Sequence, residues 1–183
     1  DDSACVEEIR MLKNNLVKIT SDTSNYNKEL KEGNFKYRIN ANNYNNSWKL
    51  IVENVNSNID AIYNPLLEIE RVILDLEKGN LSSRVKGNSK GEFYIIKNSL
   101  NKFIDNTSSY VEEIAQILDD VSKGEYDLKV NYDYIGDFNI IKQNLNNALN
   151  NVEIINEYRN KICKNIDDKI QEFITFNNEI RNY

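Results

Sequence analysis

Histidine is absent from this chain, and cysteine, proline and glycine are scarce: two, one and six residues among 183. Without histidine there can be no Ser–His or Cys–His nucleophile, no imidazole metal site and no histidine to accept a phosphoryl group. Cys5 and Cys163 sit near opposite ends and form no Cys-x-x-Cys pair, which excludes a disulfide scaffold and a zinc site. They are expected to be free, half-buried thiols in a reducing compartment. So little proline and glycine leaves few loops, and most of the chain should be helix. No apolar run approaches the roughly 18 residues of a membrane span, and no signal-peptide pattern is present. Mean hydropathy is −0.64 with 28% charged residues, the profile of a water-soluble chain. Net charge is −6 and the basic residues are scattered, so nucleic-acid binding lacks its electrostatic footprint. The chain opens on Asp1 rather than Met, as expected of a segment of a longer or processed protein, and a membrane anchor can lie outside it.

What the chain does have is a repeat. Lys31-Glu32-Gly33-Asn34-Phe35, Glu77-Lys78-Gly79-Asn80-Leu81 and Ser122-Lys123-Gly124-Glu125-Tyr126 read alike, with glycines 46 and 45 residues apart. Counting from each glycine, an aliphatic precedes by three (Leu30, Leu76, Val121). Phe35, Leu81 or Tyr126 follows by two, a basic residue by five (Arg38, Arg84, Lys129) and a β-branched one by six (Ile39, Val85, Val130). A polar stretch then leads to an aromatic: Trp48, Phe93 or Phe138. From there the copies match without a gap: Leu50-Ile51, Ile95-Ile96 and Ile140-Ile141; then Val55-Asn56, Leu100-Asn101 and Leu145-Asn146; then Ile59, Ile104 and Leu149. These offsets keep to one face of a helix. Leu66, Ile69, Val72, Ile73 and Leu76 are helical in period before Gly79, as are Val111, Ile114, Ile117, Leu118 and Val121 before Gly124. Each unit therefore reads helix, glycine-started connector, helix.

The connector is too long for a helical hairpin. A 14-residue helix is roughly 21 Å long, and twelve extended residues span roughly 40 Å. The connector can thus run back along the first helix so that the second points the same way. Leu81 and Val85, and equally Tyr126 and Val130, would pin it to the helices. Gly33, Gly79 and Gly124 would be the C-caps that turn the chain. Glu92 and Asp137 fall near the N-terminus of the second helix, where carboxylates suit exposed N–H groups; in the first copy Ser47 takes this cap position. Two parallel helices with narrow apolar stripes cannot bury them alone. The expected fold is therefore all-α: a homodimer of parallel four-helix coiled-coil bundles, with three stacked units joined by continuous helices. Cys5, Ile9, Leu12, Leu16, Ile19, Thr23, Tyr26 and Leu30 form a heptad seam, a coiled-coil lead-in over residues 1–19 that merges into the first unit. Units are expected at 20–63, 64–108 and 109–155, followed by a helical output segment at 156–183. Asn64-Pro65 marks the first boundary, since proline suits a first helical turn; no breaker interrupts Thr107 to Val111.

This pattern resembles the HAMP domain in a tandem array, over roughly residues 20 to 155. The second copy carries the likeness best, with Pro65-Leu66-Leu67-Glu68-Ile69, Gly79-Asn80-Leu81, Val85 and Gly91-Glu92-Phe93. The third adds Gly136-Asp137-Phe138 and Ile141-Lys142-Gln143-Asn144-Leu145-Asn146; the first, Asn-rich in its connector and without a Gly91-like step, matches least. The resemblance implies signal relay between a sensory input and a cytoplasmic output, such as a chemoreceptor tip or kinase complex. It implies no enzyme activity and no cofactor. Membrane contact would come only through segments outside this one. The alternative is a static coiled-coil scaffold; a third reading is an enzyme fragment without its catalytic domain.

The remaining candidates for chemistry read as structure. Glu7-Glu8, Glu112-Glu113, Asp119-Asp120 and Asp167-Asp168 are neighbours about 100° apart on helices and read as solvated faces rather than acid/base or metal sites. Trp48 occupies the Phe93 and Phe138 position and reads as packing. Tyr132 and Tyr134 read as cover over the bundle, so no small-molecule ligand is expected. The many asparagines are dispersed through periodic helices, a bias of composition. Glu172 and Glu179 carry no mark of methyl acceptors.

Overall fold

The computed structural model describes residues 2–181. Among them are four long helices and no strand: α1 (Asp2–Lys31), α2 (Asn46–Glu77), α3 (Glu92–Ser122) and α4 (Asn139–Arg181), with short 3-10 turns at Ala41–Asn43 and Gly136–Phe138. The first three helices end alike. Gly33, Gly79 and Gly124 take φ of 84°, 79° and 90°. Beside them Gly33 N–H donates to Leu30 O and Asn34 N–H to Glu29 O. The same pair recurs as Gly79 to Leu76 with Asn80 to Asp75, and as Gly124 to Val121 with Glu125 to Asp120. Each is a Schellman motif, in which a left-handed residue lets two orphan carbonyls be satisfied.

Two compact units divide the chain, Asp1–Leu100 and Asn101–Tyr183. In the first, contacts run in one direction along both helices. The Lys18 ammonium donates to Asn43 O, the Tyr44 hydroxyl to Asp22 and the Tyr26 hydroxyl to Val55 O. Phe35, just past the end of α1, faces Tyr63 at 6.3 Å between ring centroids. Helices α1 and α2 are therefore parallel. The second unit has the same register: the ring of Tyr110, well before the end of α3, lies 5.4 Å between centroids from that of Phe138, just before α4.

Each unit holds a small buried cluster. Tyr26, Ile39, Tyr44, Val52 and Ile59 are buried together in the first, packed by Ile19, Leu30, Phe35 and Trp48. Tyr110, Ile117, Val130, Tyr134 and Leu149 form the second, packed by Ile114, Val121, Phe138 and Leu145. Val52, Val72, Ile104 and Val130 are the most completely covered side chains, and each contributes roughly 1.5–3 kcal/mol by leaving water.

Several expectations need correcting. Pro65 lies inside α2, which continues unbroken from Asn46 to Glu77, so the chain does not start a new helix there. The missing N–H frees the carbonyl of Ala61, an exposed residue that water can serve. Ser47 is not the N-cap: Asn45 is extended at the boundary, and Trp48 and Lys49 N–H both donate to its carbonyl. Cys5 and Cys163 are free but exposed rather than half-buried, as are the described residues around them at the start of α1 and in the tail of α4. Tyr134 is buried as expected of a cover residue, whereas Tyr132 is 54% exposed. Helix α3 does run unbroken through Thr107 to Val111.

The second helices leave the same edge uncovered in every copy. Leu50, Ile95 and Ile140 are 58%, 56% and 59% exposed, and Ile51, Ile96 and Ile141 are 44%, 43% and 43%. Just over two turns further on the stripe turns inward, with Ile59, Ile104 and Leu149 buried. On the first helices Leu66, Ile73, Val111 and Leu118 are likewise exposed, while Val72 and Ile117 are buried.

Candidate functional site

The feature that recurs is the way each connector is tied down. Ile39, Val85 and Val130, six residues after the glycines, are 3%, 3% and 2% exposed. Phe35, Leu81 and Tyr126 are half-buried. An apolar side chain holds a strand of backbone only by dispersion and desolvation, so the polar backbone beside it also needs partners. Asparagines of the second helix supply them. Asn56 accepts from Ile39 N–H at 3.0 Å and donates to Ile39 O at 2.8 Å. Asn146 accepts from Val130 N–H at 3.0 Å. Asn101 stands at the equivalent position. Sequence reasoning saw these asparagines as register marks and missed their role; the signal was a polar residue recurring beside an apolar stripe.

A carboxylate eleven residues before each glycine grips the connector from the other side. Glu68 accepts from Lys86 N–H at 3.1 Å. Glu113 accepts from Asn131 N–H at 2.7 Å and Tyr132 N–H at 3.2 Å, so it is not a solvated face. Asp22 takes the Tyr44 hydroxyl at 2.6 Å instead. The Arg71 guanidinium makes a bidentate pair with Glu68 at 2.9 and 3.1 Å and also donates to Asp75 and to Arg84 O. Those bonds, then the Lys86 N–H, hold the Glu68 carboxyl down at about 2. Burial, then the neighbouring carboxylates, pushes Tyr44 and Tyr134 up to about 12, so both stay protonated donors.

Basic residues finish the clamp. Arg38 donates to Phe35 O and Tyr37 O, both at 2.7 Å, and pairs with Asp60. Arg84 repeats the pattern with Leu81 O and Ser83 O. Lys97 donates to Gly87 O at 2.6 Å and Lys142 to Tyr132 O at 2.7 Å. In the first copy this lysine position is Val52, which is buried.

Where each connector meets the second helix, Asn46, Gly91 and Gly136 take φ of 47°, 56° and 61°. The first copy thus makes the same left-handed step without a glycine, using the residue that tolerates it best. Glu92 opens α3 and Asp137 lies in the 3-10 turn before α4, both exposed. They stand at the far end of each connector from Gly79 and Gly124, so the structure gathers the pinning residues with the clamp but leaves the glycines and the acids at its two ends. Pro65 is half-buried beside the second connector. No group of three or more His, Cys, Asp or Glu residues able to hold a metal occurs among the described residues. No described helix is long and apolar enough to cross a membrane.

The model of the HAMP domain family matches residues 43–109 and 110–154 in two adjacent segments. The first segment takes in the second helix of the first copy and all of the second copy; α1 and Gly33 lie outside it. No curated protein and no solved structure matches the chain. HAMP domains are non-catalytic signal-relay modules of sensor proteins, which work as dimers with adjoining domains. On these two matches, which together take in more than half of it, the chain belongs to the HAMP domain family.

Proposed function

We propose that the chain is a relay segment of three HAMP units, at 20–63, 64–108 and 109–155, acting as a parallel homodimer. Its four-helix bundles pass a conformational change from a sensory input to a cytoplasmic output, such as a chemoreceptor tip or kinase complex. In this reading Gly33, Gly79 and Gly124 turn the chain, Leu81, Val85, Tyr126 and Val130 pin the connectors, Pro65 marks the start of the second unit, and Glu92 and Asp137 open the second helices.

The uncovered edge carries the proposal. Three isoleucines at one repeat position, Ile51, Ile96 and Ile141, are exposed to nearly the same degree, as expected if one kind of neighbour covers all three. A second copy of the same stripe is the economical cover, since a two-fold parallel pairing presents each position to its equivalent. Such a seam can repack by rotation or by tightening at small cost, which gives a relay its two states.

Light scattering tests the assembly: the expected mass is twice 21.4 kDa, and a monomer at tens of micromolar overturns it. Cysteines at Ile51, Ile96 and Ile141, in a chain with Cys5 and Cys163 replaced, should cross-link like to like. With an input domain fused upstream, the pattern should change on stimulation. A pattern that stays fixed while the output responds removes the relay and leaves a scaffold.

A further inference from the structure

The three copies fill the space between first helix and connector differently, and the second copy leaves it open. Four residues before the aromatic stand Tyr44, Ser89 and Tyr134. Tyr44 and Tyr134 are 3% and 5% exposed and plug their copies. The Tyr134 ring stacks on Tyr110 at 4.1 Å, within a cluster that includes Ile114, Val130 and Phe138. The Tyr44 hydroxyl finds the carboxylate of Asp22.

In the second copy the plug is Ser89, and Pro65 takes the place of Tyr110. A groove of about 520 Å³ opens there, lined by Pro65, Glu68, Ile69, Val85, Ser89 and Phe93 among others. This lies within the range of small-molecule sites, roughly 300–1,000 Å³. Ile69, Val85 and Phe93 correspond to Ile114, Val130 and Phe138, which surround the tyrosine pair in the third copy. Glu68 corresponds to Asp22, which takes the tyrosine hydroxyl in the first. The walls and the acceptor of a phenol site are thus present, and the phenol that the sister copies supply from their own chain is not.

We propose that this groove binds a small phenolic ligand, its ring between Pro65, Ile69, Val85 and Phe93 and its hydroxyl donating to Glu68. The ligand class follows from the pair of features: apolar walls alone would take any hydrocarbon, whereas a carboxylate acceptor among them favours a ring that carries a donor. The Arg71 pair keeps that carboxylate ionised and fixed in orientation. No small ligand is expected from composition or motifs, because Ser89 is conspicuous only when set against Tyr44 and Tyr134.

The test is a titration of the ¹⁵N-labelled full chain with 4-methylphenol, followed by NMR. Saturable amide shifts confined to residues 64–69 and 85–93 are expected, with an affinity on the order of 0.1–1 mM for so small a probe. Toluene should bind at least about tenfold weaker, the worth of one hydrogen bond to a charged acceptor. Ser89→Tyr, which restores the plug, should abolish the shifts, and Ser89→Ala should keep them. Absent or non-saturating shifts, shifts elsewhere, equal affinity for toluene, or undiminished binding to Ser89→Tyr each overturn the proposal. A second copy that seals the groove would show as absent shifts in the dimer and counts against it equally. Should Ser89→Tyr misfold, the shift map and the toluene comparison decide alone.

Discussion

Asn56→Ala isolates the connector clamp. The side chain spends both its donor and its acceptor on Ile39, at 2.8 and 3.0 Å, and Ile39 is 3% exposed. Each bond is worth about 0.5–1.5 kcal/mol net, and a partner left without a substitute costs about 1–3 kcal/mol. Two bonds to a buried residue therefore place the loss at about 2–3 kcal/mol. Alanine recovers about 0.5 kcal/mol as the better helix former, so the expected net cost is about 2 kcal/mol. Asn58→Ala, at an exposed site on the same helix, removes no such clamp and should gain a few tenths. Urea unfolding followed by circular dichroism gives the difference. Hydrogen exchange localises it: the Ile39 amide should exchange about 30-fold faster, the factor that 2 kcal/mol commands. A loss under about 0.5 kcal/mol, or unchanged exchange at Ile39, would refute the clamp.

Three further outcomes follow from the same geometry. Gly79→Val should lower stability by about 1–2 kcal/mol: a Cβ there meets nothing within 4 Å, so the cost is the φ of +79° alone. An unchanged melting temperature would deny glycine its role. Asn46→Gly should raise stability by about 0.5–1 kcal/mol, since it relieves a left-handed φ of 47°; a fall in the urea midpoint would contradict this. Glu68 sits at about 2 in the folded chain against an ordinary 4.5. Its stabilising effect is therefore full above about 4.5 and is lost as pH falls through about 2. Wild type and Glu68→Gln should differ in stability at neutral pH and converge near pH 2, and a gap that stays constant across that window would be inconsistent with the ion pair.

The parts of the fold legible in the sequence are those written as periods. Glycines 33, 79 and 124 and the apolar residues at fixed offsets locate the helices, their ends and the pinning side chains, because hydrophobic spacing and left-handed caps leave few alternatives. What escaped was polar. Asn56 and Asn146 look like solvent-facing residues until the backbone of Ile39 and Val130 is seen to need partners. Glu113 looks like half of a solvated helix face, because its partner, like that of Glu68, is a backbone N–H eighteen residues away and backbone donors leave no mark in a sequence. Pro65 misled in the other direction. Its local preference for a helix start is real, but 32 residues of otherwise helix-forming chain and an exposed Ala61 carbonyl make continuation cheaper than a break. Asn46 hid the step that Gly91 and Gly136 announce, since asparagine reaches the same φ without glycine's signature.

These details bear on where a relay of this kind can move. Each connector is fixed at its start by a Schellman motif and at its end by a left-handed step. Midway a carboxylate from the first helix grips it, in two copies through its backbone and in the first through the Tyr44 hydroxyl, and an asparagine stands opposite on the second helix. A connector held at three points cannot slide along its helices without breaking several hydrogen bonds at once, which makes it a poor hinge. The uncovered edge has the opposite character. Ile51, Ile96 and Ile141 are left 43–44% exposed, and contacts between aliphatic side chains are non-directional and close to equivalent after a small rotation. In the dimer proposed above, helix and connector should therefore move as one body within a copy, with the change confined to the seam. Mutations at the clamp should alter stability far more than signalling bias, and mutations at the seam isoleucines the reverse.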